Sequence, residues 1–156
     1  MKTSKTILLV EDDPDDRLFF SRAALKAGIT DPVQSVSDGQ EAIEYLIGAG
    51  AFVERTRYPL PDLVVLDLKL PLATGFEVLN SIRQNPATRH LPVIILTSSQ
   101  SEADIAQAYA LGANGYLVKP PGPEELLRLV RSLKDFWLAQ NRFPPPGFPS
   151  ATGLSH

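Results

Sequence analysis

The chain contains no cysteine. Disulfides, thiolate metal sites and thiol-linked chromophores are therefore excluded. An excess of basic residues is also lacking. The formal net charge is -3, which argues against broad nucleic-acid binding, because that needs a basic face. Long apolar runs are missing too, the longest being near five residues against the ~20 needed to cross a bilayer. The N-terminus shows no apolar stretch leading to a cleavage site, since Ile7-Leu8-Leu9-Val10 runs straight into acids. No Gly-x-x-x-x-Gly-Lys-Ser/Thr run exists, which disfavours a P-loop nucleotide binder. The expectation is a cytoplasmic protein that contacts neither membrane nor nucleic acid. With 156 residues there is enough chain for one domain with a real hydrophobic core. The unusual total is 14 prolines, several of them near the C-terminus.

What is present is organised around Asp62-Leu63-Val64-Val65-Leu66-Asp67-Leu68-Lys69-Leu70-Pro71. The apolar core of this stretch predicts a short buried strand, with Asp67 where the strand ends and Pro71 turning the chain out of the sheet. Similar runs occur at Ile7–Val10, Val33–Val36, Val93–Leu96 and Tyr116–Val118. Helical spacing lies between them. Pro14 opens the first helix, which stops at Gly28. Ala42, Ile43, Leu46 and Ile47 mark the second. Phe76, Val78, Leu79 and Ile82 mark the third, closed by Asn85-Pro86. The fourth runs from Ser101 to Leu111, with Asp104 placed to complete a capping box. Pro123 opens the fifth, which continues to about Gln140.

Strand–helix alternation implies an α/β protein: a parallel sheet covered on both faces. For one domain the natural choice is the doubly wound, flavodoxin-like (βα)5 fold with strand order 2-1-3-4-5. Residues 1–142 would form that domain, and 143–156 a proline-rich tail, flexible or extended. Between Ala49 and Pro61 the pattern lapses into a long loop, of a kind that is often functional.

In this topology the strand ends share one edge. Glu11, Asp12 and Asp13 fall there, with Asp67, Thr97, Ser98 and Lys119. Each has an ordinary reading: acids and hydroxyls after a strand cap helices, and a Lys-Pro pair is commonly surface. Their conjunction at successive strand ends is what carries information. Clustered carboxylates without histidine or cysteine suit a hard divalent cation, magnesium in the first place. The cation and Lys119 would neutralise both Asp67 and an incoming phosphoryl group, and the Thr97 hydroxyl could donate to one of its oxygens. The chemistry expected is formation of an aspartyl phosphate.

On these motifs the chain resembles the receiver domains of two-component response regulators, over about Thr6 to Gln140. The motifs are Leu8-Leu9-Val10-Glu11-Asp12-Asp13, Leu66-Asp67-Leu68-Lys69-Leu70-Pro71 with Gly75, Leu96-Thr97-Ser98-Ser99, and Gly115-Tyr116-Leu117-Val118-Lys119-Pro120. The resemblance implies that Asp67 is the phosphoacceptor, charged by a sensor histidine kinase. It implies magnesium on Asp12, Asp67 and the backbone carbonyl of Lys69, with Glu11 acting through water. Lys119 would pair with the phosphoryl group, and its bond to Pro120 would be cis. Thr97 and Tyr116 would be the switch pair, altering the helix 4–strand 5–helix 5 surface. Lys69, Ser98 and Ser99 would tune hydrolysis. The protein would be no enzyme beyond intrinsic autophosphatase activity. Thr74 and Pro121 depart from the family pattern, which more often has an acid and an aromatic there.

The long Ala49–Pro61 segment and the extended last helix further resemble stand-alone regulators paired with phytochromes. A bacteriophytochrome is then a candidate kinase, and a phosphotransfer protein a candidate downstream partner. On a helical wheel Leu126, Leu129, Val130, Leu133, Phe136 and Trp137 form one stripe, the face expected on the sheet, while Leu127 and Leu138 lie apart. Phe136, Trp137 and Leu138 sit late in the helix and are the expected homodimer contact. Two rival readings are an aspartyl-phosphate hydrolase of the haloacid dehalogenase type and an unphosphorylated pseudo-receiver scaffold. The first usually has a second acid where Lys69 stands, and the intact set Asp12, Asp67, Thr97 and Lys119 speaks against the second.

Overall fold

Strand formation follows from the apolar runs. In the computed structural model, which describes residues 5–142 and Pro145, they become β1 (Ile7–Val10), β2 (Val33–Val36), β3 (Leu63–Leu66), β4 (Val93–Thr97) and β5 (Gly115–Val118). All pair in parallel, in the order β2-β1-β3-β4-β5. Between them lie α1 (Pro14–Lys26), α2 (Gly39–Ile47), α3 (Gly75–Gln84), α4 (Glu102–Ala110) and α5 (Pro123–Leu133). This is the doubly wound, flavodoxin-like arrangement expected from the alternation. The 143–156 tail lies outside the described residues except for Pro145.

Side chains alternate across each strand, so the sheet carries two cores. Leu8, Val10, Val64, Leu66, Val93 and Ile95 face α2, α3 and α4. Ile7, Leu9, Leu63, Val65, Ile94 and Leu96 face α1 and α5. Both faces of the central strands are buried, which is why their sequences are continuous apolar runs rather than alternating ones.

The Ala49–Pro61 segment is a packed structure at the rim where strands begin, opposite the rim of Asp67. Gly50–Phe52 is a 3-10 turn. Phe52 meets Tyr45 at 5.0 Å and Tyr58 at 5.1 Å between ring centroids. The Arg55 guanidinium donates to the Tyr45, Leu46 and Tyr58 carbonyls at 2.7, 2.8 and 3.0 Å. Tyr45 and Leu46 lie in the last turn of α2, where a cation is favoured.

Arg83 of α3 ties together the loop before β4 and the loop between α4 and β5. It donates to the carbonyls of Gly112, Arg89 and Leu91 and to Asn114 Oδ1, all within 3.0 Å. Burial lowers its pKa from the ordinary arginine value.

Two expectations are corrected by the backbone. The Lys119–Pro120 bond is trans, with no cis peptide among the described residues; trans is the intrinsically preferred isomer, by about 0.5–1 kcal/mol. Beyond Leu133 the last helix widens into a π-helix over Lys134–Gln140. The wider turn changes which residues face the sheet. Leu138, off the helical stripe, packs on the α1–α5 core with Trp137 and Leu127. Phe136, on the stripe, is turned out and is 55% exposed.

Candidate functional site

The residues at the strand ends gather in one crevice, and local structure explains how. After β1 the chain turns through Glu11, Asp12 and Asp13 into α1. Asp13 is the N-cap, its Oδ1 accepting from the backbone N–H groups of Asp15 and Asp16. Arg17 reaches back from α1 to donate to the Glu11 and Asp12 carbonyls at 2.8 and 3.0 Å. The acidic turn is thereby fixed from the helix side.

After β3, Asp67 is buried. Its Oδ1 accepts from Leu68 N–H at 2.7 Å, and Lys69 N lies 3.4 Å away. The chain then makes a tight turn at Leu72, whose φ of 71 is left-handed. The Pro71 carbonyl accepts from Ala73 and from Gly39 at the start of α2. Gly75 brings α3 directly against Asp67, with its N–H donating to the Leu68 carbonyl at 2.9 Å.

Lys119 closes the crevice from β5. Its Nζ lies 2.7 Å from Glu11 Oε1, 2.8 Å from Asp67 Oδ2 and 2.9 Å from Asp16 Oδ2. Burial by itself lowers the ammonium's pKa, but hydrogen bonds to Asp67, Glu11 and Asp16 outweigh it and raise the value above that of a free lysine. Glu11 behaves in the opposite sense. Burial pushes its carboxyl up to about 7, against the pull of Lys119 and of the Asp13 N–H.

Glu11, Asp12 and Asp67 each offer a carboxylate oxygen, all within 4.8 Å of one another. An all-oxygen, all-anionic donor set of this kind fits a hard divalent cation. Thr97 is fully buried, and its hydroxyl has no hydrogen-bond partner among the described residues. An unpaired buried hydroxyl costs about 1–3 kcal/mol, so the site holds a donor in reserve.

The remaining residues singled out in the sequence lie around this centre. Tyr116 is half-buried on the α2–α4 core, its hydroxyl donating to the Ser99 carbonyl at 3.0 Å. Ser99 Oγ donates in turn to Asp104 Oδ2 at 2.6 Å. This takes Asp104 out of the expected capping box: Ser101 accepts from Asp104 N–H, while Ser101 N–H goes to Ser99. Lys69 and Ser98 are exposed at the mouth of the site. Phe136, Trp137 and Leu138 belong to the π-helix beyond α5 and take no part in it.

Sequence reasoning missed Asp16. Its acid reads as a helix N-terminal charge, and only the fold, which packs α1 on α5 and brings the first turn of α1 to the residue after β5, sets it on Lys119.

Fold and site together define a class. The chain belongs to the response regulator receiver domain family, whose sequence profile matches residues 7–131. It is 39% identical over 140 residues to the probable methanogenesis regulatory protein FilR2 of Methanothrix harundinacea, covering 90% of this chain and 88% of that protein. Response regulator Rcp1 of Synechocystis is 36% identical over 140 residues, with 90% and 93% covered. Its Mn(2+)-bound structure superimposes with a TM-score of 0.81. The phosphorylated cyanobacterial phytochrome response regulator RcpA superimposes with a TM-score of 0.85 at 34% identity, covering 92% of this chain and all of that one. Among the described residues no helix is long and apolar enough to cross a membrane.

Proposed function

We propose that this protein is a phosphoacceptor of a two-component pathway, taking a phosphoryl group from a sensor histidine kinase onto Asp67. The observation that carries this reading is the convergence of Lys119 and the Glu11, Asp12 and Asp67 oxygens, beside the unpaired Thr97 hydroxyl. In the transfer, a carboxylate oxygen of Asp67 forms the new P–O bond while the P–N bond of the phosphohistidine breaks. The imidazole leaves with the bonding pair and takes up a proton.

The chain's own residues do three things. The Leu68 N–H orients the carboxylate. Lys119 supplies positive charge to the transferring oxygens. Thr97 has a free hydroxyl to donate to one of them. Asp12, Asp67 and the Lys69 carbonyl would hold magnesium, with Glu11 through water, and the ion when bound neutralises charge on nucleophile and phosphate. Tyr116, hydrogen-bonded beside α4, is the partner that reports Thr97's engagement to the α4–β5–α5 surface. Lys69, Ser98 and Ser99 border the path of a hydrolytic water and set phosphoryl lifetime.

Resemblance to Rcp1 and RcpA supports a bacteriophytochrome as the kinase, and a phosphotransfer protein as a further partner. A second copy of the chain is assigned to the exposed Phe136 end of α5. We read residues 1–142 as the receiver unit and 143–156 as an appended tail. The protein is a signalling acceptor in the cytoplasm, with autophosphatase activity at most.

The test is incubation with acetyl phosphate. Intact mass should rise by one phosphoryl group with magnesium and not after chelation. Rapid turnover of the donor without a labelled intermediate would favour the hydrolase reading, and no label at all the scaffold.

Cation affinity should depend on pH. Glu11 is half-protonated near pH 7 without a cation, and a bound cation favours the carboxylate. Titration at pH 6 and pH 8 should therefore show binding about tenfold tighter at the higher pH. Without cation the sign reverses for stability. A carboxyl raised from 4.5 to about 7 in the folded state stabilises the fold at low pH, and this contribution is lost as pH rises through 7.

A further inference from the structure

Asp16 stands outside the three-carboxylate cluster, yet it shares the ammonium on which the chemistry turns. An ammonium has three N–H donors. Lys119 has three carboxylates within 2.9 Å, one each from Glu11, Asp67 and Asp16. Its donors are fully committed, so contact with a phosphoryl oxygen requires that one be released.

The three partners are not equivalent. Glu11 and Asp67 are buried, and both belong to the group of oxygens placed for a cation. Glu11 is further held by the Asp13 N–H at its second oxygen. Asp16 lies on the first turn of α1, its side chain 36% exposed, and it takes no part in that group. It is therefore the partner that keeps its hold on Lys119 when a cation engages the others. It also adds a negative charge beside the position a phosphoryl group must occupy, which opposes the arriving anion.

Resting on the phosphoacceptor reading above, we propose that Asp16 is a positioning residue that holds Lys119 towards α1 and so restrains phosphoryl uptake by Asp67. Removing its charge frees one ammonium donor and one repulsive charge together. Asp16 is dispensable to the fold, because Asp13 is the N-cap of α1 and Asp15 supplies another first-turn acid.

The experiment measures the rate of phosphorylation by acetyl phosphate at saturating magnesium. Asp16→Asn should react about tenfold faster than wild type, with an unchanged circular dichroism spectrum. Asp16→Glu, which restores a carboxylate, should return to within about twofold of wild type. Asp15→Asn makes the same change in net charge one residue away, where no contact with Lys119 exists, and should also stay within about twofold. A gain of less than about threefold in Asp16→Asn, or a slower reaction, overturns the proposal. An equal gain in Asp15→Asn or Asp16→Glu overturns it as well, since net charge or helix perturbation then explains the rate. If wild type and all variants take up no phosphoryl group, the phosphoacceptor reading itself fails. If all react at one rate, only the role given to Asp16 falls.

Discussion

Asp67→Asn is expected to take up no phosphoryl group from acetyl phosphate or from any kinase, while remaining folded. The substitution is nearly isosteric and removes the nucleophile. An amide oxygen can still accept from Leu68 N–H, as Oδ1 does at 2.7 Å. Lys119 keeps Glu11 and Asp16 as partners, so the ammonium is not stranded. Without cation the variant also escapes part of the repulsion among Glu11, Asp12 and Asp67, whose oxygens lie within 4.8 Å. A like-charged pair at such a distance costs roughly 3–4 kcal/mol at an effective dielectric of 20. The metal-free melting temperature should therefore equal or exceed that of wild type. Cation affinity should fall at least tenfold, since one of the two carboxylates proposed to bind the ion directly is gone. Calorimetry and thermal melts with and without magnesium measure both. Asp13→Asn is the control. Asp13 Oδ1 caps α1 and would still do so as an amide oxygen, so this neutralisation should leave phosphorylation intact. If Asp67→Asn is still labelled, the acceptor lies elsewhere.

Gly75→Ala should produce a large structural effect at the site. A Cβ on Gly75 would lie 2.2 Å from the Asp67 carbonyl oxygen and 2.6 Å from Leu68 Cα. Both are backbone atoms of the segment that aims Asp67, and no flexible side chain can yield in their place. Either α3 moves off the sheet or the Asp67–Leu68 peptide shifts. Overpacking of this kind costs about 3 kcal/mol or more, and the shift also misplaces the N–H that orients Oδ1. Urea denaturation should show the loss of stability. The phosphorylation rate should fall by more than the unfolded fraction accounts for. Gly122→Ser is the contrast, because a Cβ there meets only the mobile end of Glu125, at 3.1 Å, and serine suits the N-cap of α5. Wild-type stability and phosphorylation in Gly75→Ala would show that the β3–α3 contact does not position Asp67.

Much of this architecture was legible because the signals are local. Apolar runs such as Leu63–Leu66, buried on both faces, announce strands, and Pro14, Gly28, Asn85-Pro86 and Pro123 punctuate the helices. Asp67, Thr97 and Lys119 could be placed on one rim because each ends its strand, and a parallel sheet puts strand ends together. What resisted was whatever depends on two elements meeting. Asp16 looks like any acid at a helix start until the fold brings it to Lys119, just past the end of β5. Arg83 and Arg55 look like surface arginines, yet Arg55 closes the carbonyl end of α2 and Arg83 ties the loop before β4 to the loop before β5. Ala49–Pro61 shows no period because a 3-10 turn and three rings hold it. The end of the last helix misled for a geometric reason: Phe136, Trp137 and Leu138 read as one exposed contact, but the π-helix leaves Phe136 in solvent and packs Trp137 and Leu138 on the α1–α5 core.

The packing of Ala49–Pro61 against α2, on the rim away from Asp67, separates the molecule into a reacting pole and an inert one. Val53, 68% exposed there, offers an attachment point remote from the acidic crevice. Since the protein has no thiol of its own, one cysteine at that position would accept a single dye molecule. Such a tag gives an optical handle on the protein in a mixture with its kinase, mounted where it should leave the acidic crevice untouched.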